Sequence, residues 1–254
     1  IADGMDIIVK IDGDGQMNPA LLPQFVRPLL RKQADYTKGN RFFRPESVAD
    51  MPPVRLFGNA VLSFLTKLSC GYWNIMDPTN GYTAVRTNVL AELPLDKLER
   101  RYFFETDMLF RLNTVRAVVR DIPMDSVYAD EESNLKIGKV LPEFLRKHCS
   151  RLARRYVYNY LVRDFNVGTV YSLMGTLLVG AGSLFGLVQW IMSNHSNQIA
   201  SSGTVMLAAL PIIIGIQCLI AFVHYDVSNL PTEPLSTTLD DLQVSPLTSF
   251  NSDV

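Results

Sequence analysis

Short apolar runs alternate with helical-period segments over the first 143 residues. Asp6–Ile11 (DIIVKI) is an apolar, strand-like run. Asn18-Pro19 follows with the signature of a helix start, Asn as the cap and Pro at the first helical position. Ala20–Gln33 places Leu21, Leu22, Phe25, Val26 and Leu29 at helical spacing. Ala34–Gly39, Gly81–Arg86 and Ala117–Met124 read as further strands. Val54–Leu68, Thr87–Leu93 and Phe103–Val115 read as helices. Such alternation predicts an α/β sheet with functional groups at the strand ends. Ile1–Gly4 resembles the tail of a helix feeding the first strand, so the sheet is expected to lack its first strands.

The pattern changes after residue 163. No Asp, Glu, Lys or Arg occurs between Asp164 and Asp226. A bilayer core demands this, since a charge at its centre costs roughly 2.5–3.5 kcal/mol. Two spans are predicted, at about 167–192 and 204–225, each long enough to cross about 30 Å of hydrocarbon. The competing reading is a helical hairpin buried in a soluble core. Ser193–Gly203 reads as the connecting loop. Gly175, Gly180, Gly182 and Gly186 would let the two helices approach closely. Tyr171, Trp190 and Tyr225 fall near the expected interfaces.

Residues 144–163 carry Arg146, Lys147, Arg151, Arg154, Arg155 and Arg163 and no acid, which predicts a basic amphipathic helix on an anionic membrane surface. By the positive-inside rule that face is cytoplasmic, in a bacterial inner membrane. Residues 227–254 are Ser/Thr/Pro-rich and acidic and are expected to be disordered. The predicted organisation is an α/β portion over 1–143, an interfacial helix over 144–163, a two-helix hairpin within 164–226 and a tail over 227–254.

The net charge of −1 hides this asymmetry. All 24 Lys and Arg precede Asp164 and six of the 25 acids follow Arg163, leaving the first 163 residues five charges positive. Near-neutral net charge argues against a nucleic-acid partner. Three scattered cysteines argue against a disulfide framework or a zinc site.

The candidate chemistry begins at Asp12-Gly13-Asp14-Gly15-Gln16, directly after the first strand. Two carboxylates at i, i+2 on a strand end can approach one Mg²⁺ or Mn²⁺, ions held through a few hard oxygens plus substrate phosphates. The alternative is a polar turn. The run IVKIDGDGQMNP resembles the D-x-D-G-Q-x-x-P segment of family 2 glycosyltransferases, which have the GT-A fold. Gly39-Asn40-Arg41-Phe42 resembles that family's G-S-R-F segment. The stretch from Met51 to Asn59 resembles its M-P-x-x-R-x-x-G-N helix start. Asp77–Arg86 resembles D-P-T-S-G-F-x-A-x-R, with Asn80 in place of Ser, and Phe104–Met108 resembles F-E-x-E-M. With the basic helix and two spans, the resemblance narrows to the polyprenyl-phosphate glycosyltransferases.

The resemblance implies a metal-dependent, inverting transfer of a sugar from a nucleotide-sugar donor to a polyprenyl phosphate at the membrane. It places Asp12, Asp14 and Gln16 at the metal and donor diphosphate. It places Arg41, Arg55 and Asn59 at the acceptor phosphate, where a guanidinium offers a planar, permanently charged fork. Asp77 is expected at the sugar-facing end or orienting Arg41 or Arg55. Glu105 and Asp107 stand where many relatives keep a catalytic base. An acceptor phosphate is largely ionised at pH 7, with a second pKa near ~6, and needs little base, so either carboxylate is equally expected to hold an arginine or shape the pocket. Two alternatives stand: a processive or lipid-head-group enzyme with a hydroxyl acceptor, and an inactive fragment or membrane scaffold. Trp73 and Trp190 are the only tryptophans, and neither follows the processive Q-x-x-R-W motif. Homo-oligomerisation is left open.

Overall fold

A computed structural model describes residues 4–13, 15–44, 53–125 and 137–244, without the side chains of Val54, Arg55, residues 137–140 and residues 243–244. The chain forms two compact units, Ile1–Arg155 with Leu230–Val254, and Tyr156–Asn229.

In the first unit β1 (Ile7–Lys10), β2 (Tyr36–Asn40), β3 (Thr83–Arg86) and β4 (Val119–Pro123) form one sheet in the order β1-β3-β2-β4. β3 runs antiparallel to β1 and β2, while β2 and β4 are parallel. The entrance to β3 therefore lies beside the exits of β1 and β2, so the turn before β3 meets the loops that leave β1 and β2.

One face packs on α1 (Leu22–Leu30), where Phe25, Leu29, Tyr82, Ala84 and Ile122 are buried. The Asn18 side chain accepts a hydrogen bond from the Ala20 N–H at 2.9 Å, and Pro19 opens the short 3₁₀ turn that leads into α1. The other face is covered by a cluster that includes Tyr36, Val85, Leu109 and Val119. Its helices are α2 (Pro53–Cys70), α3 (Thr87–Ala91) and α4 (Phe104–Thr114). α2 turns Leu56, Phe57, Val61 and Phe64 outward, and Phe57 is 72% exposed.

The predicted basic helix is α5 (Ile137–Tyr156), and it starts earlier than expected. Part of its charge is turned inward. Arg151 and Arg155 are buried. Lys147 pairs with Glu99 at 2.9 Å and Glu143 at 3.0 Å, and Arg155 donates to the Leu68 carbonyl at 2.9 Å. The segment's own lack of acids was misleading, because the counter-charges come from outside it. Arg146 and Arg154 remain exposed.

In the second unit a π-helical turn, Val157–Val162, precedes α6 (Val167–Ser196) and α7 (Ser202–Ser228). Both helices are long and apolar enough to cross a membrane. Only 17% and 6% of their most apolar windows are buried, which disfavours the soluble-core reading. Asn166 and Thr169 form a reciprocal capping box at the start of α6, and Ser201 caps α7. The helices meet at Gly175, Gly182 and Gly215, where an added Cβ would lie within 3 Å of the facing helix. Gly186 is also at the contact, whereas Gly180 faces open space.

The expectation of a disordered tail is corrected for its described part. α8 (Leu235–Val244) belongs to the first unit. The buried Asp35 carboxylate accepts the Leu235 and Ser236 N–H groups at 2.8 Å each, and Asp240 binds Lys32 at 2.9 Å and Asn88 at 2.9 Å. Leu235 and Leu239 pack on the core. Residues 245–254 lie outside the described residues.

Candidate active site

The sheet register explains where the polar groups gather. Directly paired residues project on one face, so Ile8, Val85, Tyr36 and Val119 form an apolar row across all four strands. Two residues further along each strand, the next row on that face is Lys10, Thr83, Lys38 and Asp121. Beyond it lie Asp12, Gly81 and Asn40. The ionic row is thus the floor on which the motif residues stand.

At the β1 end the Lys10 ammonium donates to Asp12 Oδ1 at 2.7 Å and to Glu105 Oε1 at 3.1 Å. Burial works against this ammonium, but Asp12 and Glu105 outweigh it and hold Lys10 above the ordinary lysine range. Gly81 lies directly under Asp12, and an added Cβ there would collide with the Asp12 carboxylate. Gln16 is half-buried in the turn after β1. Asp14 lies outside the described residues.

At the β2 end Arg41 and Asp77 form a two-pronged pair, Nε to Oδ2 at 2.7 Å and Nη2 to Oδ1 at 3.1 Å. The Arg41 backbone N–H also donates to Asp77 Oδ2, at 3.2 Å. Asp77 is fully buried, while about a quarter of the Arg41 side chain (26%) is exposed. The carboxylate therefore fixes a guanidinium that still reaches solvent. Of the two expected alternatives for Asp77, the geometry is that of orienting Arg41. Asn59 is half-buried on α2, and the Arg55 side chain lies outside the described residues.

Lys38 and Asp121 were missed by the sequence reading. Lys38 has no exposed surface, and its ammonium donates to the Asn80 carbonyl. Burial lowers it to about 8, opposed by the nearby Glu105, Asp77 and Asp121. Asp121 accepts from the Met76 N–H at 2.8 Å and from Asn40 Nδ2 at 3.0 Å. Burial pushes it up to about 6. The alternation of strand TKGN with strand VRDIP held a signal, a charged residue at an inward position, that only the register makes visible.

Asp107 is not brought to this group. It is fully buried and binds Arg111 Nε at 2.9 Å, Arg151 Nε at 2.6 Å and the Glu99 N–H at 2.9 Å. Of its expected roles, the geometry is that of holding arginines, and its pair with Arg151 links α4 to α5. Helical spacing explains this: Glu105 and Asp107 are two residues apart on α4 and so point in different directions.

One turn before Arg151, His148 is buried against Phe103, and its Nδ1 lies 2.8 Å from Ser69 Oγ. Burial lowers it from 6.5 to about 4. Between those values the unfolded chain binds a proton that the folded chain resists, so this group makes stability rise with pH. Asp121 acts oppositely between 3.8 and about 6, so the His148 share is read by difference. His148→Gln is expected to flatten the rise in thermal unfolding temperature between pH 5 and 6.5 relative to wild type. Equal slopes in the two proteins would refute the assignment.

No cluster of three or more His, Cys, Asp or Glu residues suited to a metal occurs among the described residues. Asp12 fits a hard divalent cation on other grounds. It stands at a strand end, and its carboxylate is close to half exposed although Lys10 donates to one of its oxygens. Mg²⁺ commonly takes only one or two protein carboxylates, with phosphate oxygens completing its shell.

No family model matches the chain. It is similar to the UDP-N-acetylglucosamine–dolichyl-phosphate N-acetylglucosaminyltransferase of Methanococcus voltae, 28% identical over 139 residues, covering 53% of this chain and 55% of that protein. It is also similar to the undecaprenyl-phosphate mannosyltransferase of Micrococcus luteus, 27% identical over 141 residues, covering 55% and 57%. The chain thus spans little more than half the length of the curated relatives it matches. A solved structure of glucosyl-3-phosphoglycerate synthase from Mycobacterium tuberculosis, in complex with Mn²⁺, overlays with a TM-score of 0.37 at 21% identity, covering 61% of this chain and 50% of that one. That score is too low to carry weight. The sequence matches, with the mixed sheet and the apolar hairpin, make this chain similar to polyprenyl-phosphate glycosyltransferases over about half of its length.

Proposed function

We propose that the protein transfers a sugar from a nucleotide diphosphate sugar to a polyprenyl phosphate at the cytoplasmic face of a membrane. The observation that carries the reading is the Arg41–Asp77 pair, a fixed and partly exposed guanidinium fork beside the Asp12 turn. Arg41, with Arg55 and Asn59 on the following helix, binds the acceptor phosphate. Asp12, Asp14 and Gln16 hold the donor side. A divalent cation held there neutralises charge on the departing nucleotide diphosphate.

The ionised acceptor oxygen attacks the anomeric carbon without a dedicated base. This is favoured over a hydroxyl acceptor by the partners of both candidate bases. Glu105 is paired with Lys10, and Asp107 with Arg111 and Arg151. The exposed apolar face of α2, with Leu56, Phe57, Val61 and Phe64, supports seating of the catalytic unit on lipid. That surface matches an acceptor whose phosphate sits at the bilayer boundary.

The test uses the intact protein in proteoliposomes with polyprenyl phosphate, Mg²⁺ or Mn²⁺, and radiolabelled UDP-N-acetylglucosamine, UDP-glucose or GDP-mannose. Lipid-extractable label from one donor, lost on chelation of the metal, is expected. Label that appears only with a hydroxyl acceptor, or an absence of lipid label with every one of these donors, overturns the reading.

A further inference from the structure

The ionic row contains a lysine, Lys38, that is excluded from solvent. Burying an ammonium costs several kcal/mol. Asp77 is paired with Arg41 and Glu105 with Lys10, while Asp121 is held through Oδ2 by the neutral Asn40 amide and the Met76 N–H. The Lys38 ammonium is instead given to the backbone carbonyl of Asn80.

That carbonyl belongs to the turn that carries Asp77. Within it the Asn80 side chain donates to Asp77 Oδ2 at 3.3 Å and accepts from the Tyr82 N–H at 2.9 Å. Asp77 in turn grips the guanidinium and backbone N–H of Arg41. Gly39, next to Lys38, allows the turn to come this close, since a Cβ there would press on the Asn80 side chain at 2.9 Å. One strand, β2, thus supports the turn from below through Lys38 and leads straight into the arginine that the turn orients.

We propose that Lys38 is a positioning residue for phosphate binding: its buried ammonium holds the 77–82 turn and, through Asp77, sets the Arg41 fork for a phosphate monoester. The inference rests on the reading that Arg41 receives the acceptor phosphate. A purely structural lysine would change stability when replaced and would spare the choice between donor and acceptor.

The experiment compares wild type, Lys38→Met, Asn80→Ala, Arg41→Ala and the Lys38→Met/Arg41→Ala double variant as intact protein in detergent. It measures equilibrium binding of a short-chain isoprenyl phosphate, thermal unfolding, and KM for donor and acceptor. Lys38→Met is expected to weaken isoprenyl phosphate binding about tenfold, the scale of one charge-assisted hydrogen bond. Donor KM should be unchanged, whatever the shift in thermal unfolding temperature. In the Arg41→Ala background the same substitution should have no further effect. Asn80→Ala breaks the link above Lys38 and should reproduce the acceptor-specific loss, which keeps the idea testable if Lys38→Met fails to fold. Unchanged phosphate binding in a folded Lys38→Met or in Asn80→Ala overturns the proposal. So does an equal loss with and without Arg41, or a wild type that binds no isoprenyl phosphate. A wild type that binds the phosphate but transfers no sugar refutes the proposed activity and leaves the Lys38 comparison decisive.

Discussion

Asp77→Asn is expected to lower kcat/KM for the polyprenyl phosphate by roughly 10²–10³-fold, the usual scale for losing one preorganised electrostatic group at a reacting phosphate or oxyanion. The substitution keeps the side-chain volume but removes the negative charge. It also sets an amide N–H against one of the three Arg41 donors that the carboxylate now accepts. The guanidinium loses its fixed direction. Because about a quarter of the Arg41 side chain is exposed (26%), it can be rehydrated in place. The stability cost should therefore fall below the ~3–5 kcal/mol expected when a fully buried ion pair is broken. Kinetics with varied acceptor, paired with thermal unfolding, separate the two effects. A variant with near-normal acceptor kinetics and a lowered unfolding temperature would make Asp77 a structural residue only.

Asp35→Ala is expected to have the converse profile, a large loss of stability from a position away from the candidate site. The fully buried Asp35 carboxylate accepts three backbone N–H groups, from Val118 at 2.7 Å and from Leu235 and Ser236 at 2.8 Å each. Each hydrogen bond to a charged group contributes about 1.5–3 kcal/mol, and buried donors left unsatisfied add a cost. A loss of at least about 4 kcal/mol follows, seen as a clear fall in the thermal unfolding temperature. Deleting residues 230–254 should destabilise similarly, because it removes α8 with its Asp240 contacts to Lys32 and Asn88. The described part of the tail is thereby part of the first unit. A truncated protein that unfolds at the wild-type temperature would refute this.

Much of this arrangement was legible in the residues alone. Period-two and period-3.6 patterns located the strands and helices of the first 125 residues to within a few residues, since burial of one face is a local property of the chain, but they missed the helix in the tail and the start of the basic helix. The uncharged stretch between Asp164 and Asp226 marked the hairpin for the same reason. Motif order pointed to Asp12, Arg41, Asp77 and Glu105, which the fold gathers at one edge of the sheet. The partners of those groups were not legible. Nothing near Asp107 in sequence announced Arg151, 44 positions away, and nothing near Asp35 announced Ser236, 201 positions away.

The sequence by itself thus determined the elements, the charge asymmetry and the residue types able to bind phosphate. Those depend on spacing over a few turns or strand positions. Only the tertiary structure decided which charges face one another. It turned a basic segment into an ion-paired helix and an acidic tail into a docked one. It also set Lys10, Thr83, Lys38 and Asp121 in a single row. Register and helix docking bring together side chains far apart in the chain, and at those distances the sequence carries no spacing rule from which a partner can be read.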